Sequence, residues 1–95
     1  MDLMNLGYKF NKNVIYKDRG EMLMAYNQES SDMYEFNEVG AEIFKMLAEE
    51  MPIKEIFNKL TKDYDVTEED IYDDVKQIID RLIGLNVIIK KGDEN

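Results

Sequence analysis

Met33-Tyr34-Glu35-Phe36-Asn37-Glu38-Val39-Gly40-Ala41-Glu42-Ile43-Phe44-Lys45-Met46-Leu47 changes its apolar period at a single polar residue, Asn37. Up to Phe36 the pattern alternates, with Tyr34 and Phe36 on one face and Met33 and Glu35 on the other, as in a strand. After Asn37 the apolar residues Val39, Ile43, Phe44 and Leu47 recur at helical spacing to about Glu50. Asn37 is a good N-cap and Glu38 suits the positive end of the helix dipole. A short strand at a sheet edge presents unpaired backbone groups that an extended peptide can complete. The joint therefore raises peptide capture as the first hypothesis.

Upstream, Asn13 to Lys17 and Glu21 to Asn27 are β-prone runs joined by Asp18-Arg19-Gly20, whose glycine can supply positive φ, so they predict a hairpin. In the second run Met22, Met24 and Tyr26 share one face, and Leu23 and Ala25 the other. With Asp32 to Phe36 as the third run, a three-stranded antiparallel meander is the simplest assembly. Downstream, Pro52 fits the first turn of a second helix with Ile53, Ile56, Phe57, Leu60 and Tyr64 as its buried stripe. Thr67 and Asp70 form an imperfect capping box at the start of a third helix, which runs to about Leu85. Asn86 can take the left-handed conformation that ends it. Val87 to Ile89 then supplies either a short closing strand or a packed tail. Strands followed by helices indicate an α+β fold, and the last two helices with their short connection resemble a helix-turn-helix.

Bulk composition removes whole classes of chemistry. The 95 residues suit one domain with a single core, ending in a short polar tail at 90–95. The initiating Met1 and the polar Gly92-Asp93-Glu94-Asn95 end favour a free-standing chain. With no Cys and no His, disulfides, Cys/His zinc sites and His-based triads are excluded. Apolar runs such as Val87-Ile88-Ile89 are far shorter than a membrane span, and the start lacks a signal-peptide layout, so a cytoplasmic protein without membrane contact is expected. The formal charge is −9, and Asp63 to Asp74 holds seven acidic residues and no basic one. Nucleic-acid affinity rests on Lys and Arg, so no nucleic-acid partner is expected.

The third helix carries a second signal. At about 100° per residue, Ile71, Val75, Ile78 and Leu82 lie within about 60° and form a core stripe. Tyr72, Ile79 and Ile83 extend the apolar arc along one shoulder, with Lys76 beyond. Either the strands or the Val87–Ile89 tail cover that shoulder, or it lines a groove beside the third strand.

Tyr34-x-Phe36-Asn37-x-x-Gly40-x-x-Ile43-x-x-x-Leu47, Ile53-x-x-Ile56-x-x-x-Leu60, the Asp63-Tyr64-Asp65-Val66 linker, Asp74-Val75 and the Leu82-to-Val87 ending resemble the PqqD-like family over roughly residues 8–89. Those are the recognition elements that bind leader peptides in the biosynthesis of ribosomally made, modified peptides. Asn86 stands where the family usually has Gly, and Phe36 where Leu is commoner. The resemblance implies a winged helix-turn-helix-like domain of three strands and three helices, with no catalysis of its own and no cofactor. The leader of a precursor peptide adds as a strand and is presented to a modifying enzyme, often a radical S-adenosylmethionine enzyme. Carried onto this chain, the peptide-binding residues are Asp32, Met33, Tyr34, Glu35 and Phe36 on the strand. On the helix they are Tyr72, Val75, Lys76, Ile79, Asp80 and Ile83, with Lys76 and Asp80 placed to select charges of opposite sign.

Competing readings are weaker. A winged-helix DNA-binding regulator would insert a helix beginning Thr67-Glu68-Glu69-Asp70, too anionic for a major groove. A non-catalytic regulatory or scaffolding subunit of an enzyme complex could use the same surface without binding any leader. Asp63-x-Asp65-x-Thr67 only faintly resembles a calcium loop, with Glu68 at the required glycine position, so no metal site is expected. Met22, Met24 and Met46 read as core filler, leaving Met33 as the methionine of the site. Adjacent carboxylates such as Asp73-Asp74 diverge by about 100° on a helix and make no acid–base pair, so the chain is not expected to be an enzyme.

Overall fold

The computed structural model describes residues 3–92. After a 3-10 turn at Leu3–Asn5 come β1 (Tyr8–Phe10), β2 (Val14–Asp18), β3 (Leu23–Asn27), β4 (Met33–Phe36), α1 (Glu38–Ala48), α2 (Ile53–Tyr64), α3 (Glu68–Gly84) and β5 (Ile88–Lys90). The expected α+β order is present, with the antiparallel sheet β2-β3-β4 followed by three helices. Gly20, at φ 90°, makes the β2–β3 turn and donates its N–H to Asp18 Oδ1 at 2.9 Å. Val87–Ile89, left open between strand and tail, contributes to β5, which pairs with β1 in a separate two-stranded antiparallel sheet. That second sheet ties the segment before β2 to the segment after α3.

Local chemistry sets the helix boundaries. Asn37 Oδ1 accepts the Gly40 N–H at 2.9 Å, so Asn37 alone separates β4 from α1. A methyl at Gly40 would lie 3.3 Å from Asn37 Oδ1 and 3.4 Å from Phe36 Cβ, a tight fit against the capping side chain. Pro52 precedes the first turn of α2, standing at its N-cap. Thr67 and Asp70 make both bonds of a capping box, which hold the Asp70 carboxyl below the usual carboxylate range. Asn86 takes the expected left-handed conformation at φ 64°. Its carbonyl accepts from Asn11 Nδ2 at 2.8 Å, and the Val87 N–H returns to the Leu82 carbonyl.

The core lies between the inner face of the three-stranded sheet and the helices, with Leu23, Phe44, Leu47, Phe57, Ile79 and Leu82 fully buried. Several apolar positions depart from the sequence expectation. Met46 is core, whereas Met22 is exposed and Met24 half-buried on the outer sheet face, because Leu23 and Ala25 take the inner one. Val39 and Tyr64 are 45% and 46% exposed, not part of the buried stripes. On α3 the buried line is Val75, Ile79 and Leu82, while Ile71 and Ile78 are only half-buried. The helix is thus rolled about 40° toward Ile79 from the expected stripe.

Tyr8 joins β1 to the α1–α2 connection through its hydroxyl, which donates to the Met51 carbonyl. Burial first, and Glu50 second, push its phenol well above the usual tyrosine range. A raised native pKa favours the protonated form, so this contribution is complete below about pH 10 and lost as pH rises further. Urea midpoints should therefore fall between pH 8 and pH 11, and Tyr8→Phe should make that fall smaller.

Candidate functional site

The register of the three-stranded sheet decides which backbone groups are free. β3 and β4 pair Leu23↔Phe36, Met24↔Glu35, Ala25↔Tyr34 and Tyr26↔Met33, and the Asn27 N–H bonds the Asp32 carbonyl at 2.9 Å in line with that register. Hydrogen-bonded pairs alternate along an antiparallel ladder, so Asp32, Tyr34 and Phe36 spend their backbone groups on β3. The N–H and C=O of Met33 and Glu35 point the other way. β4 lies at the edge of its sheet, and those groups have no protein partner among the described residues. β2 is the opposite edge, but there the Val14 N–H already donates to the Asn11 carbonyl at 3.0 Å.

The side chains of β4 divide by face. Phe36 is buried and Tyr34 half-buried on the inner side, while Met33, 61% exposed, and Glu35 face outward. Cross-strand register aligns Ile15, Tyr26 and Met33 as one apolar row on the outer face, and Lys17, Met24 and Glu35 as the next. Partial burial and the Asp32 carboxylate push the Tyr34 phenol up.

α3 passes beside the C-terminal end of β4, its Arg81 guanidinium 5.0 Å above the Phe36 ring. A groove of about 460 Å³ opens there between the start of α1 and α3, lined by Asn37, Val39, Asp74, Gln77, Ile78 and Arg81. The helix residues singled out from sequence lie elsewhere. Val75 and Ile79 are buried in the core, and Tyr72 stacks on Phe57 of α2 with ring centroids 5.8 Å apart. Lys76, Asp80 and Ile83 line a smaller cavity of about 160 Å³ with Leu3, Leu6 and Lys90. Lys76 donates to Asp80 at 2.8 Å, which raises its pKa. The structure thus brings Asp32 to Phe36 together, and separately Lys76, Asp80 and Ile83, but places the second group on the flank of α3 away from β4.

Asp74, Gln77, Ile78 and Arg81 are not among the site residues expected from the sequence, where Ile78 reads as core. The only signal that finds them is angular: they fall within one arc of about 100° on the helix, centred about 150° from Lys76. Among the described residues no three acidic side chains converge to hold a metal ion, and no helix is long and apolar enough to cross a membrane.

An α+β domain with an open strand edge beside the groove of its last helix is the class this geometry defines. The chain belongs to the coenzyme PQQ synthesis protein D (PqqD) family, whose model matches residues 23–88. Two solved structures share its fold. TbiB1 in complex with the TbiA(beta) leader peptide superposes with a TM-score of 0.78 at 16% identity, covering 92% of this chain and 99% of that one. Lasso peptide synthetase B1 complexed with the leader peptide gives 0.75 at 14% identity, covering 87% and 98%. No curated protein sequence matches the chain.

Proposed function

We propose that this chain is a non-catalytic recognition domain that binds the leader segment of a ribosomally made precursor peptide as a fourth strand on β4. It then presents the peptide to a modifying enzyme, of the radical S-adenosylmethionine class, in the cytoplasm. The observation that carries the proposal is the outward-facing backbone of Met33 and Glu35 beside the α3 groove. Its family, and a fold shared with two proteins solved with leader peptides, support the same reading.

Four outward groups allow about four main-chain hydrogen bonds, worth a net ~1 kcal/mol each. That only reaches the low end of the ~4 to 15 kcal/mol cost of association. Main-chain pairing therefore fixes register, and side chains must supply affinity. In an added strand alternate residues point to opposite faces. One set meets Ile78, Gln77 and Arg81 of α3; the other flanks Met33 and Glu35 on the outer face.

Proline substitution tests the strand directly. Met33→Pro and Glu35→Pro each delete an outward N–H without touching the β3 ladder, and each should weaken binding about tenfold with the fold retained. Tyr34→Pro removes a bond to β3 and should instead destabilise the sheet. The measurement is fluorescence anisotropy with dye-labelled leader segments of candidate precursor peptides. Unchanged affinity in both edge variants rules strand addition out.

A further inference from the structure

Beyond the groove, and sharing Val39, Asp74 and Ile78 with it, a second cavity runs in among the three helices. Its walls include Val39 and Ile43 of α1, Leu60 of α2, and Ile71 and Ile78 of α3, with Tyr64 and Asp74 at the rim. At about 240 Å³ it exceeds the roughly 150 Å³ cavity known to accept benzene and falls below the ~300 to 1,000 Å³ typical of small-molecule sites. It fits one large side chain and not a cofactor. Its lining offers almost no polar partner, so a charged or strongly polar group would enter at the cost of its hydration.

The rim selects what stands on either side of that group. Tyr64 donates to Glu42 at 2.7 Å, and Glu38 lies close enough to add to the upward push on its phenol. With Asp74 these carboxylates make the mouth anionic, while Asp63, also nearby, is shared with Lys59 at 3.9 Å. A second copy of a chain carrying −9 would meet repulsion there. A peptide running along β4 arrives at this mouth by simple continuation through the shared groove.

We propose that the three-helix cavity is the specificity pocket for one uncharged aromatic or branched aliphatic side chain of the bound peptide, and that basic residues flank that side chain. The identity of the ligand rests on the strand-addition reading above; the pocket's chemistry does not.

The test uses the full chain with isotope-labelled methyl and backbone amide groups and three probes: acetyl-Lys-Phe-Lys-amide, acetyl-Lys-Ala-Lys-amide and acetyl-Glu-Phe-Glu-amide. The first should shift the Val39, Ile43, Ile71 and Ile78 methyl signals saturably, and the alanine probe should bind at least tenfold more weakly. The glutamate probe should be at least threefold weaker at 20 mM salt, the gap closing at 0.5 M. Val39→Trp fills the mouth from an exposed position and should abolish the response with an unchanged circular dichroism spectrum; Val66→Trp does so from the other wall. Equal binding of the phenylalanine and alanine probes, or shifts confined to β4 amides, overturns the pocket. Equal binding of the lysine and glutamate probes overturns the flanking charges. Methyl shifts that appear on concentrating the protein alone assign the cavity to a second copy and overturn the proposal. None of these readouts depends on strand pairing, so the Pro variants and the methyl shifts fail independently.

Discussion

Phe44→Ala is expected to lower the free energy of unfolding by about 3 to 5 kcal/mol, the range for emptying a buried aromatic site. Phe44 is fully buried on α1 and meets three rings from three strands. Phe10 of β1 lies edge-on at 5.6 Å, Tyr16 of β2 at 5.1 Å, and Phe36 of β4 at 5.3 Å in a tilted contact. Each such pair adds about 0.5 to 1.5 kcal/mol beyond simple burial. Against a total of about 5 to 15 kcal/mol for a domain, this one change can consume most of the native stability. Urea denaturation followed by far-ultraviolet circular dichroism measures it, and Phe44→Leu should recover more than half of the loss. Because Phe10 and Phe36 share the same ring, adding Phe10→Ala to Phe44→Ala should cost less than the sum of the two singles. A loss under about 1 kcal/mol for Phe44→Ala, or strict additivity, would mean the four rings are not packed as described.

The same ring cluster separates what the chain discloses from what it hides. β2, β3 and β4 announce themselves by alternation and by Gly20, and the helices by Asn37 and the Thr67–Asp70 box, because those signals act within a few residues. β1 is only three residues long, and its partner β5 lies at the opposite end of the chain, so no local pattern ties Tyr8 to Lys90. That omission displaces the candidate site. α3 carries apolar residues on both sides of its buried line, Ile71 and Ile78 on one and Tyr72 and Ile83 on the other, and all four pack partly against the core. The N-terminal turn and β5 lie against the Ile83 side, and Phe57 covers Tyr72, which leaves the Ile78 side open toward β4. Val39 and Tyr64 were legible as apolar helix positions, but a residue at the mouth of a cavity has the same period as one in the core. The strand half of the candidate site can be read from the chain, since it is backbone; the half on α3 depends on what covers that helix.

Ile78→Asp should reduce affinity for the leader peptide at least a hundredfold, while Lys76→Glu should change it less than twofold. The two residues sit on the same helix, about 160° apart. Ile78 is half-buried and lines both the groove beside β4 and the apolar cavity behind it. A carboxylate there removes apolar contact worth about 1.5 to 3 kcal/mol per bound side chain, and must lose water when the peptide closes over it. It also stands one turn from Asp74, so the new charge repels an existing one. A loss of about 2.7 kcal/mol corresponds to the hundredfold. Lys76 is exposed, bonds Asp80 and lines a cavity with Leu3 and Leu6, so reversing its charge alters the side of α3 turned away from the Ile78 groove. Thermal denaturation must accompany both titrations, and Ile78→Asp should keep a cooperative transition because the site opens to solvent. The opposite result, with Lys76→Glu abolishing binding and Ile78→Asp sparing it, places the peptide on the β5 flank of α3. The β4 edge would then be left without a ligand, and the Met33 and Glu35 proline variants should bind normally as well.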